Sequence, residues 1–169
     1  SGRAAAKLQQ LQSRDEKLAR LEAKRAKIQK ELMETGLQIR KVRLAQLPKL
    51  SKKIAAQLND LGFPQAEFSA ELEEHDPWRF GIDAVKFLFA PNPGEPAKEL
   101  RSIASSGEIS RVMLAIKTAL ADEDEIPVLV FDEIDANVGG QVAHKVGEKM
   151  AWIGRKRQVV CNTHLAQVA

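Results

Sequence analysis

The sequence predicts an α/β fold preceded by a long helical arm. Parallel strands with crossover helices and an antiparallel strand pair make up the globular part. Three observations carry this expectation. Residues 4–46 contain no Pro and a single Gly, Gly36, among good helix formers. Between residues 68 and 89 the apolar period shortens to two. From residue 107 onward, helix-period stretches alternate with short continuous apolar runs, the rhythm of parallel strands linked by helices.

The arm carries a heptad. Position a falls at Leu11, Leu18, Arg25, Leu32, Ile39 and Gln46, and position d at Arg14, Leu21, Ile28, Thr35 and Val42. Seven of these eleven sites are aliphatic, which argues for one strand of a coiled coil, interrupted at Arg14, Arg25, Thr35 and Gln46. Such a stripe needs a partner, either an antiparallel helix from outside the chain or a second copy. Pro48 is expected to break or kink the helix. A second amphipathic stretch follows at Leu47, Leu50, Ile54, Leu58 and Leu61, and Asn59-Asp60-Leu61-Gly62 with Pro64 reads as a helix stop. The division is therefore a helical arm at 1–61 and a globular part at 62–169.

In the globular part, Phe68, Ala70 and Leu72, and then Val85, Phe87 and Phe89, alternate as a half-buried antiparallel pair. His75-Asp76-Pro77 and Gly81 fall in their connection. Pro91-Asn92-Pro93-Gly94 reads as a turn and 95–104 as a loop. Ile109, Val112, Met113, Ile116 and Leu120 space a helix over 107–121, ended by Asp122-Glu123-Asp124-Glu125 and Pro127. Residues 128–131 read as a strand buried on both faces, 140–153 as a helix, and 158–162 as a second buried strand.

Composition narrows the function classes. At 169 residues the chain suits one ordinary domain, or a small domain plus an extension. No apolar run is long enough to span a membrane, and no signal peptide is visible. The chain does not open on Met, which suits an excised or an engineered fragment, with Ser1-Gly2 a candidate leftover of cloning. The lone Cys161 fits a structural thiol and a reducing cytosol. His75 and His144 have no metal-ligand spacing with His164 or Cys161, so no zinc site is expected. Residues 1–60 carry 15 Lys/Arg against 6 Asp/Glu, a net of +9, while the remainder nets −6. A basic half suits a polyanion such as nucleic acid, or simply a solvated helix face.

Three short elements could carry phosphate chemistry. Ser105-Ser106-Gly107-Glu108 sits where a loop becomes a helix. Ser105 and Glu108 have capping-box spacing, and the same helix start offers unpaired N–H groups to a phosphate. Asp132-Glu133 follows an apolar strand, where α/β sheets place ligands. There Asp132 would serve a hydrated Mg²⁺ and Glu133 would orient or deprotonate an attacking water. His164 follows a second such strand after Cys161-Asn162-Thr163, as a structural residue or a contact to a terminal phosphate. A phosphate-cradling G-x-x-x-x-G-K-[ST] loop is absent from the sequence.

From about Leu47 to Ala169 the chain resembles the RecN family, the bacterial DNA-repair ATPases of the SMC-like branch of ABC ATPases. The resemblance is strongest in Phe87–Pro96, Ile103–Arg111, Val130–Asp135 and Thr163–Ala169. The arm before Leu47 matches only in type. The fold so implied is the C-terminal lobe of an ABC-type ATPase head behind a coiled-coil arm. Ser105, Ser106, Gly107 and Glu108 would be the signature loop, contacting ATP held by the opposite subunit. Asp132 and Glu133 would be Walker B, Asp135 would lie in a D-loop crossing the dimer interface, and His164 would be the switch histidine. The family pattern is Ser-Gly-Gly-Glu, and Ser106 departs from it. The cofactors implied are ATP and Mg²⁺ in a complete head.

The partners implied are a missing N-terminal lobe with Walker A, a second copy through ATP-dependent head dimerisation, and DNA, with no membrane. The resemblance further implies a bacterial, cytoplasmic, nucleoid-associated protein acting in double-strand-break repair, its fragment inactive alone. The candidate DNA contacts are Arg40, Lys41, Arg43, Lys49, Lys52 and Lys53, with Arg155-Lys156-Arg157 a weaker set. Rival readings are a coiled-coil module binding DNA or protein, and another SMC-like ATPase half. A transporter nucleotide-binding domain fits poorly, given the long arm and Glu108.

Overall fold

The computed structural model describes residues 2–168, leaving aside the side chains of 4–6. Ser1 of the Ser1-Gly2 pair and Ala169 of the last resembling segment lie outside the described residues. Helix α1 runs Gly2–Asp60. Strands β1 (Glu67–Trp78) and β2 (Gly81–Ala90) follow, then β3 (Lys98–Glu99) and a 3-10 turn at Leu100–Ser102. Helix α2 (Ser106–Ala119), strand β4 (Val128–Phe131), helix α3 (Gly140–Gly154) and strand β5 (Gln158–Cys161) complete the order.

The chain forms two compact units. One comprises residues 1–43 and 74–84, the other 44–73 and 85–169. The division falls inside α1 rather than at residue 61.

In the first unit, Gly36 explains itself. A Cβ there would lie 2.7 Å from Ile82 Cγ2, so only glycine lets β2 come this close to α1. One turn on, Arg40 Nε sits 3.1 Å from Oδ1 of Asp83, whose residue is 1% exposed. Arg43 donates to the carbonyls of Phe80 (2.6 Å) and Asp83 (3.3 Å). The a and d residues Leu11, Leu18, Leu21, Ile28, Leu32, Ile39 and Val42 are exposed, so this seam has no partner among the described residues.

In the second unit, Ile54, Leu58 and Leu61 of α1 join Phe63, Phe68 and Phe89 in one core with the apolar faces of α2 and α3. The helix continues through Pro48, contrary to a break there. Pro48 cannot donate to the carbonyl four residues back, but burial of Leu47, Ile54 and Leu58 holds the helix on its far side. The stop at Asp60 is as read, with Gly62 in the left-handed region at φ 91°.

Strand β1 is longer than the alternation indicated and includes His75, Asp76 and Pro77, leaving only residues 79–80 as the connection to β2. Pro77 is tolerated because β1 is an edge strand in the order β1-β2-β3. The turn read at 91–94 is closed one residue on, over 92–95, with Glu95 N donating to Asn92 O and Gly94 at φ 83°. The expected loop at 95–104 instead holds β3, antiparallel to β2 with Phe89 opposite Lys98, and the 3-10 turn.

Strands β4 and β5 pair in parallel, Leu129 opposite Val159, with α3 as the crossover. They are not buried on both faces. Leu129 and Phe131 face the core, while Val128 (44% exposed), Val130 (71%) and Val160 (44%) are bare. A continuous apolar run marks a sheet covered twice, and the described residues cover it once.

Candidate functional site

The start of α2 is built as its sequence requires. Ser105 is the N-cap in extended conformation, and its Oγ accepts from Glu108 N at 3.3 Å. Among the described contacts Glu108 makes no return bond, so only half of the capping box forms. Gly107 is buried against the turn that follows β4. A Cβ on it would lie 2.9 Å from Ala136 Cβ and 3.0 Å from Glu133 O. Glycine here therefore serves close approach between two loops rather than a special φ.

Glu133 takes φ 53°, a left-handed backbone rare outside Gly, Asn and Asp. The turn is closed by Ala136 N donating to Glu133 O at 3.0 Å. Ser106 Oγ donates to Glu133 Oε2. Asp132 is exposed, and its Oδ1 accepts from Asn162 Nδ2 at 3.0 Å while its carbonyl accepts from Ser110 Oγ at 2.7 Å.

Asp135 is different. It is 6% exposed, and its Oδ2 accepts from Thr163 Oγ1 (2.5 Å), His164 N (2.7 Å) and Leu165 N (2.9 Å). Burial pushes its carboxyl up, and these hydrogen bonds outweigh burial, so the net shift is downward. The carboxylate thus holds the loop that carries His164, and the His164 ring is left exposed. Burial, with Asp135 and Asp132 nearby, pushes the Cys161 thiol up, which disfavours a reactive thiolate.

One open cleft of about 620 Å³ collects most of the site. Ser105, Ser106, Glu133, Asp135, Asn137 and His164 line it, with Ala104, Ala136, Val138 and Leu165. Asp132 stands outside this lining, and Gly107 lies beneath it. The lining contains no Lys or Arg. Its donors for a phosphate are the serine hydroxyls, the α2 start, the Asn137 amide and the His164 ring, none of them a permanent cation, so a triphosphate would need positive charge from elsewhere. Asp132 is exposed with one carboxylate oxygen held by Asn162, and a single carboxylate of this kind is a donor type that magnesium takes, with water and phosphate oxygens filling its shell.

Arg111 has a role that its motif does not announce. It is buried, lies over the Phe63 ring at 5.1 Å, and its Nη1 donates to the carbonyls of Ile134 (3.3 Å) and Ala136 (3.0 Å). Burial pulls its guanidinium below the ordinary range, partly offset by Glu108. The available signal was a cation four residues after Gly107 and four before Ala115, on the apolar face of a helix. Thr163, beside His164, carries no sequence signal of its own, yet its Oγ1 donates to Asp135 Oδ2.

The basic candidates divide. Arg40 and Arg43 are engaged by Asp83 and by the carbonyls of Phe80 and Asp83, whereas Lys41, Lys49, Lys52 and Lys53 are exposed. Lys156 pairs with Asp122, and Arg157 holds Asp124 and the carbonyls of Ala121 and Asp124. The 155–157 cluster is thus largely a brace for the acidic loop.

The fold resembles that of SMC head domains carrying a coiled coil. It superposes on an Smc head domain with a coiled coil and joint from Pyrococcus yayanosii with a TM-score of 0.59 at 22% identity, over 88% of this chain and 28% of that one. No protein-family model matches. Curated relatives take the assignment further. A DNA repair protein RecN of Xylella fastidiosa is 44% identical over 115 residues, 66% of this chain and 21% of the relative. Another, from Vibrio cholerae, is 34% identical over 162 residues, 95% of this chain and 29% of the relative. The chain belongs to the RecN family and corresponds to its C-terminal part. It spans less than a third of the length of either relative. No helix among the described residues is long and apolar enough to cross a membrane.

Proposed function

We propose that this chain contributes residues to two composite ATP sites, its own and that of a second copy, in a DNA double-strand-break repair ATPase. The observation that carries this is the convergence of Ser105, Ser106, Glu133 and His164 on one cleft. Ser105 and the α2 start bind phosphate oxygens of a nucleotide held by a second copy. Glu133 orients and deprotonates the attacking water on its own copy, and His164 faces the terminal phosphate. Asp132 holds Mg²⁺ through water; the ion supplies charge neutralisation of the phosphates. Asp135 keeps the His164 loop in place, and the D-loop contact to the partner falls to the residues after it.

The main phosphate grip, Walker A, comes from an upstream lobe, and this chain alone hydrolyses no ATP. The same lobe covers the bare valines of β4 and β5. A returning helix covers the seam from Leu11 to Val42. Lys41, Lys49, Lys52 and Lys53 make salt-sensitive contacts to DNA phosphates.

Glu133→Gln in the complete protein tests the assignment. Steady-state turnover should fall about 10²–10⁴-fold, while ATP binding by filter retention persists. Unchanged turnover would remove Glu133 from the chemistry.

A further inference from the structure

Ser106 and Glu133 come from different loops, 27 residues apart, and meet at the cleft through Ser106 Oγ donating to Glu133 Oε2. The backbone beneath each is fixed. Gly107 presses the α2 start onto the 133–136 turn so closely that a Cβ would lie 3.0 Å from Glu133 O. Glu133 is itself held at φ 53° by that turn. Such strained backbone is retained where the surroundings over-determine it.

A serine hydroxyl has one proton to donate. It goes to the Glu133 carboxylate or to a phosphate oxygen, and not to both at once. While it goes to Glu133, Ser106 offers a phosphate only lone pairs, and one oxygen of the carboxylate is taken up. Ser105, by contrast, uses its oxygen as the cap acceptor and keeps its proton free for a ligand.

We propose that Ser106 is a positioning residue that latches Glu133 until a nucleotide phosphate at the α2 start draws its hydroxyl away. Arrival of phosphate at Ser106 then frees the carboxylate for water. A chain with glycine at 106 has no such latch. This inference rests on the role given to Glu133 above.

The test is a double-mutant cycle in the complete protein, with a non-hydrolysable ATP analogue as the probe. The readout is the analogue concentration giving half-maximal self-association by sedimentation. Ser106→Gly and Ser106→Ala are each made with Glu133 intact and with Glu133→Gly, which accepts the left-handed backbone freely. The alanine variant keeps the propensity of the α2 start, and Ser106→Thr, which keeps the hydroxyl, should behave as the parent.

The effect of removing the hydroxyl should differ between the two Glu133 backgrounds by about threefold or more, with the lower half-point where Glu133 is intact. An equal rise in both backgrounds would make Ser106 a phosphate ligand alone, and no change in either would make it a helix-start residue alone. Either result overturns the latch. If the analogue drives no association of the parent protein, the composite-site reading fails, and the latch falls with it.

Discussion

Each compact unit buries one aspartate, and the two are held in opposite ways. Asp83 in the first unit faces a charge, Arg40 Nε at 3.1 Å, and among the described residues no aligned hydrogen bond reaches either of its oxygens. Asp135 in the second unit faces no cation at this range among the described residues, and one of its oxygens accepts three donors from the His164 loop. A buried ion pair returns little net stability, because desolvation of both charges offsets their attraction. Neutral donors fixed to a loop stabilise the carboxylate and fix the loop in the same contact. Asp83 thus marks a place where two elements meet, while Asp135 shapes a site.

The largest effect should come from unpairing Asp83. Arg40→Ala leaves that charge buried alone and should cost the first unit about 3–5 kcal/mol. Trp78, whose Nε1 lies 3.4 Å from the Asp83 carbonyl, reports this by fluorescence during urea unfolding. Replacing both residues, Arg40→Met with Asp83→Leu, should recover most of the loss. If it does not, the pair is worth more than its desolvation cost and the contrast drawn above fails.

A smaller effect is expected at Asp135. Asp135→Ala strands three donors and should cost about 1–3 kcal/mol at pH 7 in thermal melts. Because the folded carboxyl is shifted downward, its contribution is present above the unfolded value near ~3.9 and is lost as pH falls through the folded one. The gap between parent and variant should therefore persist at pH 5 and close only in stronger acid. A gap already closed at pH 5 would contradict the downward shift.

The smallest effect belongs to the exposed charges of the arm. Lys27 and Glu31, and Lys30 and Glu34, pair at i, i+4 with both partners open to water. Lys27→Ala should change helix content by circular dichroism by no more than about 0.3–0.5 kcal/mol would allow. A larger change would show that charge pairing matters on the surface of α1 as well as beneath it.

What the sequence made legible was local. The Gly62 stop, the Ser105 half of the capping box and the turn after Pro91 each depend on residues within one turn of themselves, and each forms. Continuity through Pro48 was not legible, because it depends on burial of Leu47, Ile54 and Leu58 against distant elements. The bare face of β4 and β5 was not legible either, since an apolar run records the coverage a strand needs and not what covers it. At the cleft, the identities of Ser105, Glu133 and His164 could be picked out. The inward turn of Asp135 could not, because its three donors lie 28 to 30 residues away.

Gly36 also constrains how the arm can change length. It is a notch that accepts Ile82, one turn before Arg40 reaches Asp83. Each residue inserted between the notch and Arg40 rotates one against the other by about 100°. Insertions there would therefore throw the ion pair out of phase, whereas insertions before Gly36 leave notch and pair in step. Between Gly36 and Arg40 the arm therefore cannot change length without losing one of these two contacts.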